Sequence, residues 1–337
     1  MARPLIAIPM GDPAGVGPEI VLGALGDKAL HESARMLVAG DAGVLERALN
    51  YPNAPALMLR LVASAGEGDY QPGIVNAIDL KQIASGDFVP GRVDGRCGQA
   101  AYTYIKKAIQ LALAGEADAI ATPPINKESL RAGGIPYIGH TEIFAALTRT
   151  PDPLTLFEVR GMRVFFLSRH VSLRQACDLV KKDRVMDYAR RSWAVLRQLG
   201  VREGVMAVAG LNPHCGENGL FGDEEVRELA PAVKALQAEG LQVAGPIGAD
   251  SVFAQALEGK YNSVLSLYHD QGHIAAKTVD FMRTVSITAG MPILRTSVDH
   301  GTAFDIAGKG VASPLSMAEA VRVAVKYAPY YRNEGKV

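Results

Sequence analysis

The stretch "LIAIPMGDPAGVGPEI", residues Leu5–Ile20, predicts how the chain folds. An apolar run, Leu5–Met10, leads into a glycine-rich segment in which Pro18 suits the first turn of a helix. This order predicts a strand, a tight turn and a helix, the repeating unit of α/β proteins. The turn could bind an anion at the helix N-terminus, or it could be a tight turn without a ligand. It has neither GxGxxG nor GxxxxGK(S/T) spacing, so the common dinucleotide and P-loop motifs are excluded.

The same alternation of strand and helix continues along the chain. Apolar runs predict strands at Leu5–Met10, Arg35–Ala39, Ala117–Thr122, Leu154–Val159, Val164–Ser168, Val205–Ala209, Ser263–Leu267 and Val285–Thr288. Helical patterns occupy Gln99–Ala114, Val185–Leu199, Asp223–Ala238 and Ser316–Lys326, with Asp223 as an acidic N-cap and Gly200 and Gly240 near helix C-termini. The order predicts a twisted, parallel or mixed sheet with helices on both faces.

Composition excludes several classes of protein. The 35 basic residues balance the 35 acidic ones, so charge provides no case for binding nucleic acid or an anionic membrane. No uncharged apolar run approaches the roughly 18 residues of a membrane span. The N-terminal segment is interpreted as a first strand and not a signal peptide. Cys97, Cys177 and Cys215 are scattered without CxxC spacing, which predicts a reducing, cytoplasmic location.

Polar clusters follow five of the predicted strands. In open α/β sheets, ligands bind beyond the carboxyl ends of the strands, so these clusters predict one shared site. They are "GDPAGVGPE", "PPINK", "RH", "LNPHCGENG" and "YHDQGH".

Three histidines, His170, His214 and His269, each come shortly after a predicted strand. Three converging imidazoles are a ligand set that divalent transition metals prefer. The alternative is that each histidine only satisfies a hydrogen bond in its turn. In "YHDQGH", Gly272 disfavours a helix, so His269 is interpreted as a ligand at a strand end and not as part of an HExxH-type zinc helix. His273 is then a later neighbour that need not point at His269.

Cationic and acidic side chains supply candidates for substrate binding and proton transfer. Arg295, in the strand-like segment "PILRTS", is the strongest candidate for gripping a phosphate or carboxylate, because a charge in an apolar context needs a partner. Weaker candidates are Lys127, Lys277 and the pair His140-Thr141. Candidates for orienting imidazoles, transferring protons or binding a ribose are Asp250, Asp270, Asp299 and Asp305.

Several motifs together resemble the 4-hydroxythreonine-4-phosphate dehydrogenase family of vitamin B6 biosynthesis, in consistent order from about residue 5 to residue 325. They are "MGDPAGVGPEI", "INKESLRAGGIPYIGHTEIF", "GLNPHCGENGLFGDEE", "YHDQGH" and "ILRTSVDHGTAFDIAGKG". The segment "DHGTAFDIAGKG" is also similar to the loop with which isocitrate and isopropylmalate dehydrogenases hold the adenosine half of their cofactor.

The resemblance implies an isocitrate-dehydrogenase-like, three-layer α/β/α fold of two interwoven subdomains around a cleft. The implied split is residues 1–140 plus 265–337 on the cofactor side and residues 141–264 on the metal and dimer side.

The resemblance also implies a homodimer with the active site at the subunit interface. A divalent metal would be bound by His170, His214 and His269, the last from the neighbouring subunit. Substrate contacts carry over to His140, Thr141, Lys277 and Arg295, and NAD would lie near His300, Gly301, Thr302, Ala303, Phe304 and Asp305.

The implied reaction is metal-dependent, NAD-linked oxidation and decarboxylation of 4-phosphohydroxy-L-threonine to 3-amino-2-oxopropyl phosphate. The metal could be zinc, cobalt, manganese or magnesium. The general base is open among Asp250, Lys277 and Lys127. Rival functions are a metal-dependent phosphatase or other hydrolase and a non-catalytic sugar-phosphate-binding protein.

One position departs from the family pattern. Typical biosynthetic members read "VNIT" where this chain reads Val285-Ser286-Ile287-Thr288, so an asparagine that contacts substrate is replaced by Ser286. A serine offers one hydroxyl in place of an amide, which loses or shifts a substrate contact. The opening motif and "TAFDIAGKG" are closer to the catabolic branch. That branch acts on D-threonate or D-erythronate 4-phosphate, and a more distant relative oxidises an aromatic cis-dihydrodiol.

Overall fold

The protein is described by a computed structural model that covers residues 3–331. These residues divide into two compact units. Unit 1 contains residues up to 153 together with those from 291 onward, and unit 2 contains residues 154–290. The chain therefore leaves unit 1, forms unit 2 and returns, but it crosses at 153/154 and 290/291 and not at the predicted 140/141 and 264/265 boundaries.

Twelve strands lie in the described part of the chain. They are β1 Leu5–Pro9, β2 Arg35–Gly40, β3 Met58–Leu61, β4 Ile74–Asp79, β5 Ala119–Thr122, β6 Leu154–Val159, β7 Met162–Phe166, β8 Met206–Ala209, β9 Val243–Ile247, β10 Ser263–Ser266, β11 Val285–Ala289 and β12 Arg295–Val298. The eight predicted strands are confirmed as β1, β2, β5, β6, β7, β8, β10 and β11; β6 has the predicted bounds, and the ends of the others differ by at most two residues. The prediction did not include β3, β4 or β9, and it recognised β12 only as a strand-like context for Arg295.

The helices within residues 3–331 are α1 Gly17–Leu25, α2 Lys28–Ser33, α3 Ala42–Leu49, α4 Gly95–Leu113, α5 Lys127–Ala132, α6 His140–Thr148, α7 Leu173–Asp178, α8 Lys182–Gln198, α9 Ala230–Ala238, α10 Ala249–Leu257, α11 His269–Val279 and α12 Leu315–Tyr331. Short turns of other helical types occupy Ala65–Glu67, Pro213–Gly219 and Glu225–Leu229. Each of these helices is too short or too polar to cross a lipid bilayer.

Unit 1 is built on a parallel sheet in the order β3-β4-β2-β1-β5-β12. Every residue of β1, β5 and β12 is buried, which is typical of parallel strands covered on both faces. Helix α4 packs against β1 and β2, and α12 packs against β5 and β12. The carboxyl ends of β1, β5 and β12 are neighbours, so the loops that follow them meet at one edge.

Unit 2 contains a mixed sheet in the order β11-β6-β7-β10-β8-β9. Strand β6 is antiparallel to both β7 and β11, whereas β7, β10, β8 and β9 run parallel to one another. Arg160 and Gly161 connect β6 to β7, and both have positive φ angles. This conformation is typical of the two-residue turns that join antiparallel strands. The predicted α/β class, with a parallel or mixed sheet, is confirmed.

The prediction that "YHDQGH" is not helical was wrong, because α11 begins at His269 and runs through Gly272. A Cβ on Gly272 would lie 2.5 Å from a ring carbon of Phe166, 2.7 Å from Ser266 Oγ and 2.9 Å from a methyl carbon of Val164. Gly272 therefore lets the helix approach β7 and β10 closely, and this packing outweighs its low helix propensity of about 1 kcal/mol.

The predicted helix start at Asp223 is confirmed. Helical backbone begins at Glu224, and the Asp223 carbonyl accepts the Arg227 N–H at 2.9 Å. Glu225–Leu229 forms a π-helical turn that leads into α9, and the Asp223 carboxylate forms an i,i+4 ion pair with Arg227. Wide turns of this kind are frequent at functional sites.

Candidate active site

The three histidines selected from the sequence follow three neighbouring strands of unit 2. Strand β10 pairs in parallel with β7 on one side and β8 on the other. His170 follows β7, His269 follows β10 and His214 follows β8, so all three come from the same edge of the sheet. The ring centroids of His170 and His269 lie 6.0 Å apart. The carboxyl ends of β7, β10 and β8 therefore lie at one edge of the unit 2 sheet, and a shared metal site there stays a prediction.

His214 lies in a left-handed turn. Five consecutive residues, His214 to Asn218, have φ angles between 44° and 75°. Four of them are not glycine, and the left-handed conformation costs such residues roughly 1–2 kcal/mol each. Strain of this size persists only where the surrounding structure imposes it, and it is concentrated at functional sites.

His269 is oriented by the residue that follows it. Its Nδ1 lies 2.6 Å from Asp270 Oδ1, so Nδ1 is hydrogen-bonded to the carboxylate and Nε2 is left for another partner. The ring stacks on that of His273, with centroids 3.6 Å apart and an interplanar angle of 12°. His273 Nδ1 bonds to the His269 carbonyl at 2.8 Å. The prediction that His273 need not point at His269 was wrong, since one helical turn places the rings on the same face.

The remaining predicted residues of unit 2 lie on adjoining elements. Lys277 is one further turn along α11, half-buried, with its Nζ 5.2 Å from the Phe281 ring centroid. Asp250 is exposed in the first turn of α10, and its charge contributes to raising the pKa of Cys215, which burial chiefly raises. Asp250 therefore lies on the side of unit 2 that carries the His214 turn. Ser286 is half-buried on β11 opposite Phe157.

The donor chemistry of the histidine edge fits a divalent transition metal. Imidazole nitrogens are preferred ligands, and the Asp270–His269 bond is the usual arrangement that presents the other nitrogen to a metal. Within residues 3–331 of one chain, however, no three histidine, cysteine or acidic side chains form a complete metal-binding cluster. The ring centroids of His170 and His269 lie 6.0 Å apart, and the His214 ring lies beside that of Phe221, with centroids 6.5 Å apart.

Unit 1 contains a separate cluster suited to an anion. Arg295, the first residue of β12, is only 4% exposed. Its Nε and Nη2 both donate to Thr122 Oγ1, at 3.1 and 2.9 Å, and its guanidinium lies 5.1 Å from the Phe144 ring centroid. Burial lowers the pKa of Arg295 to about 9, although Asp299 and Glu142 oppose this. An anionic ligand would compensate such a desolvated cation.

His140 lies beside this guanidinium at the first position of α6. Burial lowers the pKa of the His140 imidazole well below its usual range, and the charge of Arg295 lowers it further. The ring is therefore neutral, and its enclosed Nε2 has no hydrogen-bond partner within the described residues. Thr141, the next residue, adds a half-buried hydroxyl at the same helix N-terminus, where backbone N–H groups also favour an anion.

The predicted cofactor loop is held by the glycine-rich turn that follows β1. The Thr302 carbonyl accepts the Val16 N–H at 3.0 Å, and a Cβ on Gly15 would lie 2.9 Å from Thr302 Cβ. Glu19 accepts hydrogen bonds from the N–H groups of Gly308 and Gly310. Of the predicted contacts, Thr302 is buried, Gly301 and Asp305 are exposed, and His300, Ala303 and Phe304 are half-buried. His300 Nε2 lies 2.7 Å from Ser316 Oγ.

Lys127 is exposed at the first position of α5 in unit 1. Asp12, in the glycine-rich turn, is fully buried. Burial raises the pKa of its carboxyl from 3.8 to about 6, although the Ala14 N–H donates to Oδ1 at 2.9 Å.

We expect Asp12→Asn to become more stable relative to the parent as the pH rises from 4 to 7. An acid with a raised pKa keeps its proton in the folded state while the unfolded chain loses it, so stability falls as the pH rises from 3.8 through about 6. The difference corresponds to about 3 kcal/mol. Denaturant unfolding of both proteins at pH 4 and pH 7 measures it, and an unchanged difference between them would contradict the expectation.

Comparison with known proteins identifies the family. The model of "Pyridoxal phosphate biosynthetic protein PdxA" matches residues 32–324. The chain belongs to the PdxA family. A Clostridium botulinum protein, provisionally named D-threonate 4-phosphate dehydrogenase, is 59% identical over 330 residues, 98% of each chain. The family resemblance found in the sequence is thereby confirmed.

Solved structures of PdxA relatives agree with this fold. The 4-hydroxythreonine-4-phosphate dehydrogenase of Klebsiella pneumoniae is 43% identical, covers 97% of this chain and 98% of its own, and superimposes with a TM-score of 0.90. A terephthalate 1,2-cis-dihydrodiol dehydrogenase of Burkholderia xenovorans is 30% identical, with a TM-score of 0.66 and coverage of 96% and 98%. These three relatives are named as dehydrogenases, and the chain is accordingly an oxidoreductase.

Two buried polar residues near the histidine loops are not among the candidates predicted from the sequence. Gln271 and Glu225 are 9% and 2% exposed, and both bond to the backbone near the histidine loops. Glu225 resembled an ordinary acid in the first turn of a helix, and Gln271 an ordinary polar residue between two histidines. Only their burial, which sequence alone does not show, distinguishes them.

Proposed function

We propose that this PdxA-family chain is an NAD-linked dehydrogenase, dependent on a divalent metal, that oxidises the secondary alcohol of a phosphorylated four-carbon hydroxy acid. The observation that carries the proposal is the placement of His170, His214 and His269 after three adjacent parallel strands. The buried Arg295 and His140 of unit 1 support it, since they suit the anionic group of such a substrate.

Two substrates are favoured by different relatives. Proteins 57–59% identical to this chain are provisionally named for D-threonate 4-phosphate, whereas structures 41–43% identical are named for 4-hydroxythreonine 4-phosphate. These acids differ at the carbon that bears either a hydroxyl or an amino group. Ser286 stands where the family resemblance places an amide-bearing asparagine of the biosynthetic enzymes, and this departure supports a different substrate. We therefore place D-threonate 4-phosphate first and 4-phosphohydroxy-L-threonine second.

The chain's own residues would bind and orient the substrate. Arg295 would supply a charge-assisted hydrogen bond to a phosphate or carboxylate oxygen, and the neutral His140 would contribute Nε2 without adding a second buried charge. Thr141 and Lys277 are further candidates for anion contacts. Asp250, exposed near the His214 turn, and Lys277 are the candidates for accepting the hydroxyl proton.

His170, His214 and His269 would hold the metal, with Asp270 orienting the His269 ring. When bound, the metal would lower the pKa of the substrate hydroxyl and stabilise negative charge during loss of carbon dioxide, and NAD would accept the hydride. The proposed position of NAD is the loop from His300 to Asp305, in which the Thr302 carbonyl accepts the Val16 N–H. Just after this loop, Gly308 and Gly310 donate their N–H groups to Glu19.

A second copy of the chain would cover the histidine edge. Exposed apolar side chains flank each histidine: Val171 follows His170, the Phe221 ring lies 6.5 Å from that of His214, and Ile274 on α11 is 64% exposed. Exposed apolar groups of this kind mark association surfaces. The proposed homodimer would exclude water from the site and could bring one histidine from the partner.

The expected result is NADH formation with one of the four-carbon 4-phosphates and loss of that activity when the metal is chelated. The panel is D-threonate 4-phosphate, D-erythronate 4-phosphate, 4-phosphohydroxy-L-threonine and an aromatic cis-dihydrodiol. Each compound is tested with Zn²⁺, Co²⁺, Mn²⁺ or Mg²⁺, and NADH formation is followed by its absorbance. Phosphate release is measured in parallel.

Turnover of 4-phosphohydroxy-L-threonine alone would make that acid the substrate and Ser286 a tolerated replacement. Phosphate release without NADH would support the rival hydrolase. Ligand binding without turnover would support the non-catalytic protein, and no response to any compound would overturn the substrate class.

A further inference from the structure

The three strand ends that carry histidines are joined by buried hydrogen bonds from side chains. Ser168, just before His170, donates its hydroxyl to the Leu267 carbonyl at 2.8 Å. The Leu267 N–H donates to Gln271 Oε1 at 2.7 Å, and Gln271 Nε2 donates to the Gly210 carbonyl at 2.8 Å. One line of hydrogen bonds thus connects the ends of β7, β10 and β8.

Glu225 extends this line to the loop of His214. Its Oε1 accepts the backbone N–H groups of Leu211 and Asn212, both at 2.7 Å, and its Oε2 accepts Asn212 Nδ2 at 2.8 Å. Burial would raise the pKa of Glu225, but these donors hold it below its usual range. A carboxylate is therefore kept charged in the interior by hydrogen bonds to the segment that leads into His214.

The left-handed turn, residues 214–218, packs directly on the side chains of Glu225 and Asn212. A Cβ on Gly216 would lie 2.9 Å from Glu225 Oε2 and 2.5 Å from the Gly222 carbonyl. A Cβ on Gly222 would lie 2.4 Å from Asn212 Nδ2. Glycine is thus required where the turn meets Glu225 and Asn212. Since the left-handed conformation is costly, these contacts are what the turn needs to keep its shape.

We propose that Glu225 and Gln271 are positioning residues that hold the loops of His170, His214 and His269 in the arrangement that a divalent metal ion requires. The inference rests on the proposed function, because it assumes that these histidines bind metal. Glu225 acts on the His214 turn through Leu211 and Asn212. Gln271 acts between the ends of β10 and β8.

The test compares Zn²⁺ affinity of the full-length protein and its variants by competition with a chromogenic chelator. Glu225→Gln keeps an oxygen for the two backbone N–H groups, so the variant should retain most of its fold. It replaces the other oxygen with an NH₂ group, which faces the Nδ2 donor of Asn212 and loses that hydrogen bond. Gln271→Met keeps the side-chain length and removes both hydrogen bonds. We expect each to bind Zn²⁺ about 10- to 100-fold more weakly, as for other residues that orient metal ligands.

The matched control is Glu228→Gln, on the same helical turn. Glu228 also accepts a backbone N–H, that of Lys182 at 2.7 Å, and its carboxylate pairs with Lys181 and not, within the described residues, with the His214 loop. This control should lose stability and keep the parent's Zn²⁺ affinity. In the metal-free proteins, amide hydrogen exchange over residues 211–222 should accelerate in Glu225→Gln and stay unchanged in Glu228→Gln.

Raising the Zn²⁺ concentration should restore kcat to the Glu225→Gln and Gln271→Met variants, because their defect is in occupancy. Parent-like Zn²⁺ affinity in both variants would overturn the positioning role while leaving the dehydrogenase proposal intact. Absence of Zn²⁺ binding by the parent would overturn the positioning role and the metal site together. The dehydrogenase proposal would then depend on whether the parent forms NADH in the substrate panel.

Discussion

Replacing His214 with alanine should lower kcat by about a thousandfold or more, since a Lewis acid at a reacting oxygen contributes several kcal/mol to catalysis. The same loss is expected for His170→Ala and His269→Ala. Steady-state NADH formation and the zinc content of the loaded protein together measure the effect. The three rings come from one edge of the unit 2 sheet, so each substitution should remove metal without unfolding the sheet.

His31→Gln is the control for loss of a histidine. His31 is buried in unit 1, where its Nε2 bonds to the Leu25 carbonyl at 2.8 Å, and a glutamine amide can replace that bond. The His31→Gln variant should therefore keep the zinc content and the activity of the parent. Full zinc occupancy in His170→Ala, His214→Ala and His269→Ala would show that other residues bind the metal.

Mixing two inactive variants tests whether the site is shared between subunits. If His269 acts across the interface, a heterodimer of His214→Ala and His269→Ala contains one intact site. An equal mixture that exchanges subunits should then recover about a quarter of the parent activity, because half of the dimers are mixed and each has one active site. No recovery would indicate that one chain supplies all three ligands. The 6.0 Å between the ring centroids of His170 and His269 of one chain would agree with that outcome.

Replacing Arg295 with methionine should lower kcat/KM by about a hundredfold or more, mainly through a higher KM. Removing one partner of a buried, charge-assisted contact typically costs 2–5 kcal/mol or more. The guanidinium is nearly inaccessible and desolvated, so water cannot replace its interaction with a bound anion. A methionine of similar length can fill the apolar space beside Phe144, but stability should fall, because the charges of Asp299 and Glu142 lose their buried cationic neighbour.

Arg322→Met is the matched control for loss of one positive charge in unit 1. Arg322 is paired with Asp27 and Glu319 at the surface, where ion pairs contribute little to stability. Its KM should equal that of the parent. A parent-like KM in Arg295→Met would exclude Arg295 from substrate binding and would leave His140 and Thr141 as the anion contacts.

Much of the local structure was predictable because it depends on short-range pattern. The apolar runs of β1, β7, β8 and β10 ended where the structure ends them to within two residues, and the polar segments after them predicted the histidine edge. Arg295 was interpreted correctly as a charge in a strand. Strands β3, β4 and β9 were not predicted; β3 is largely exposed and β9 only partly buried, so their sequences lack a strong apolar pattern.

The sequence by itself determined the α/β class, the family and the strand ends at which the candidate residues lie, because alternating apolar and polar segments and motif order are local properties of the chain. Only the tertiary structure decided that Gly272 lies inside a helix, because the space between α11 and the strands beneath it arises from packing between distant segments. It also decided that Glu225 and Gln271 are buried against the histidine loops. A hydrogen bond between residues far apart in sequence depends on how the strands pair, which no short stretch of sequence contains.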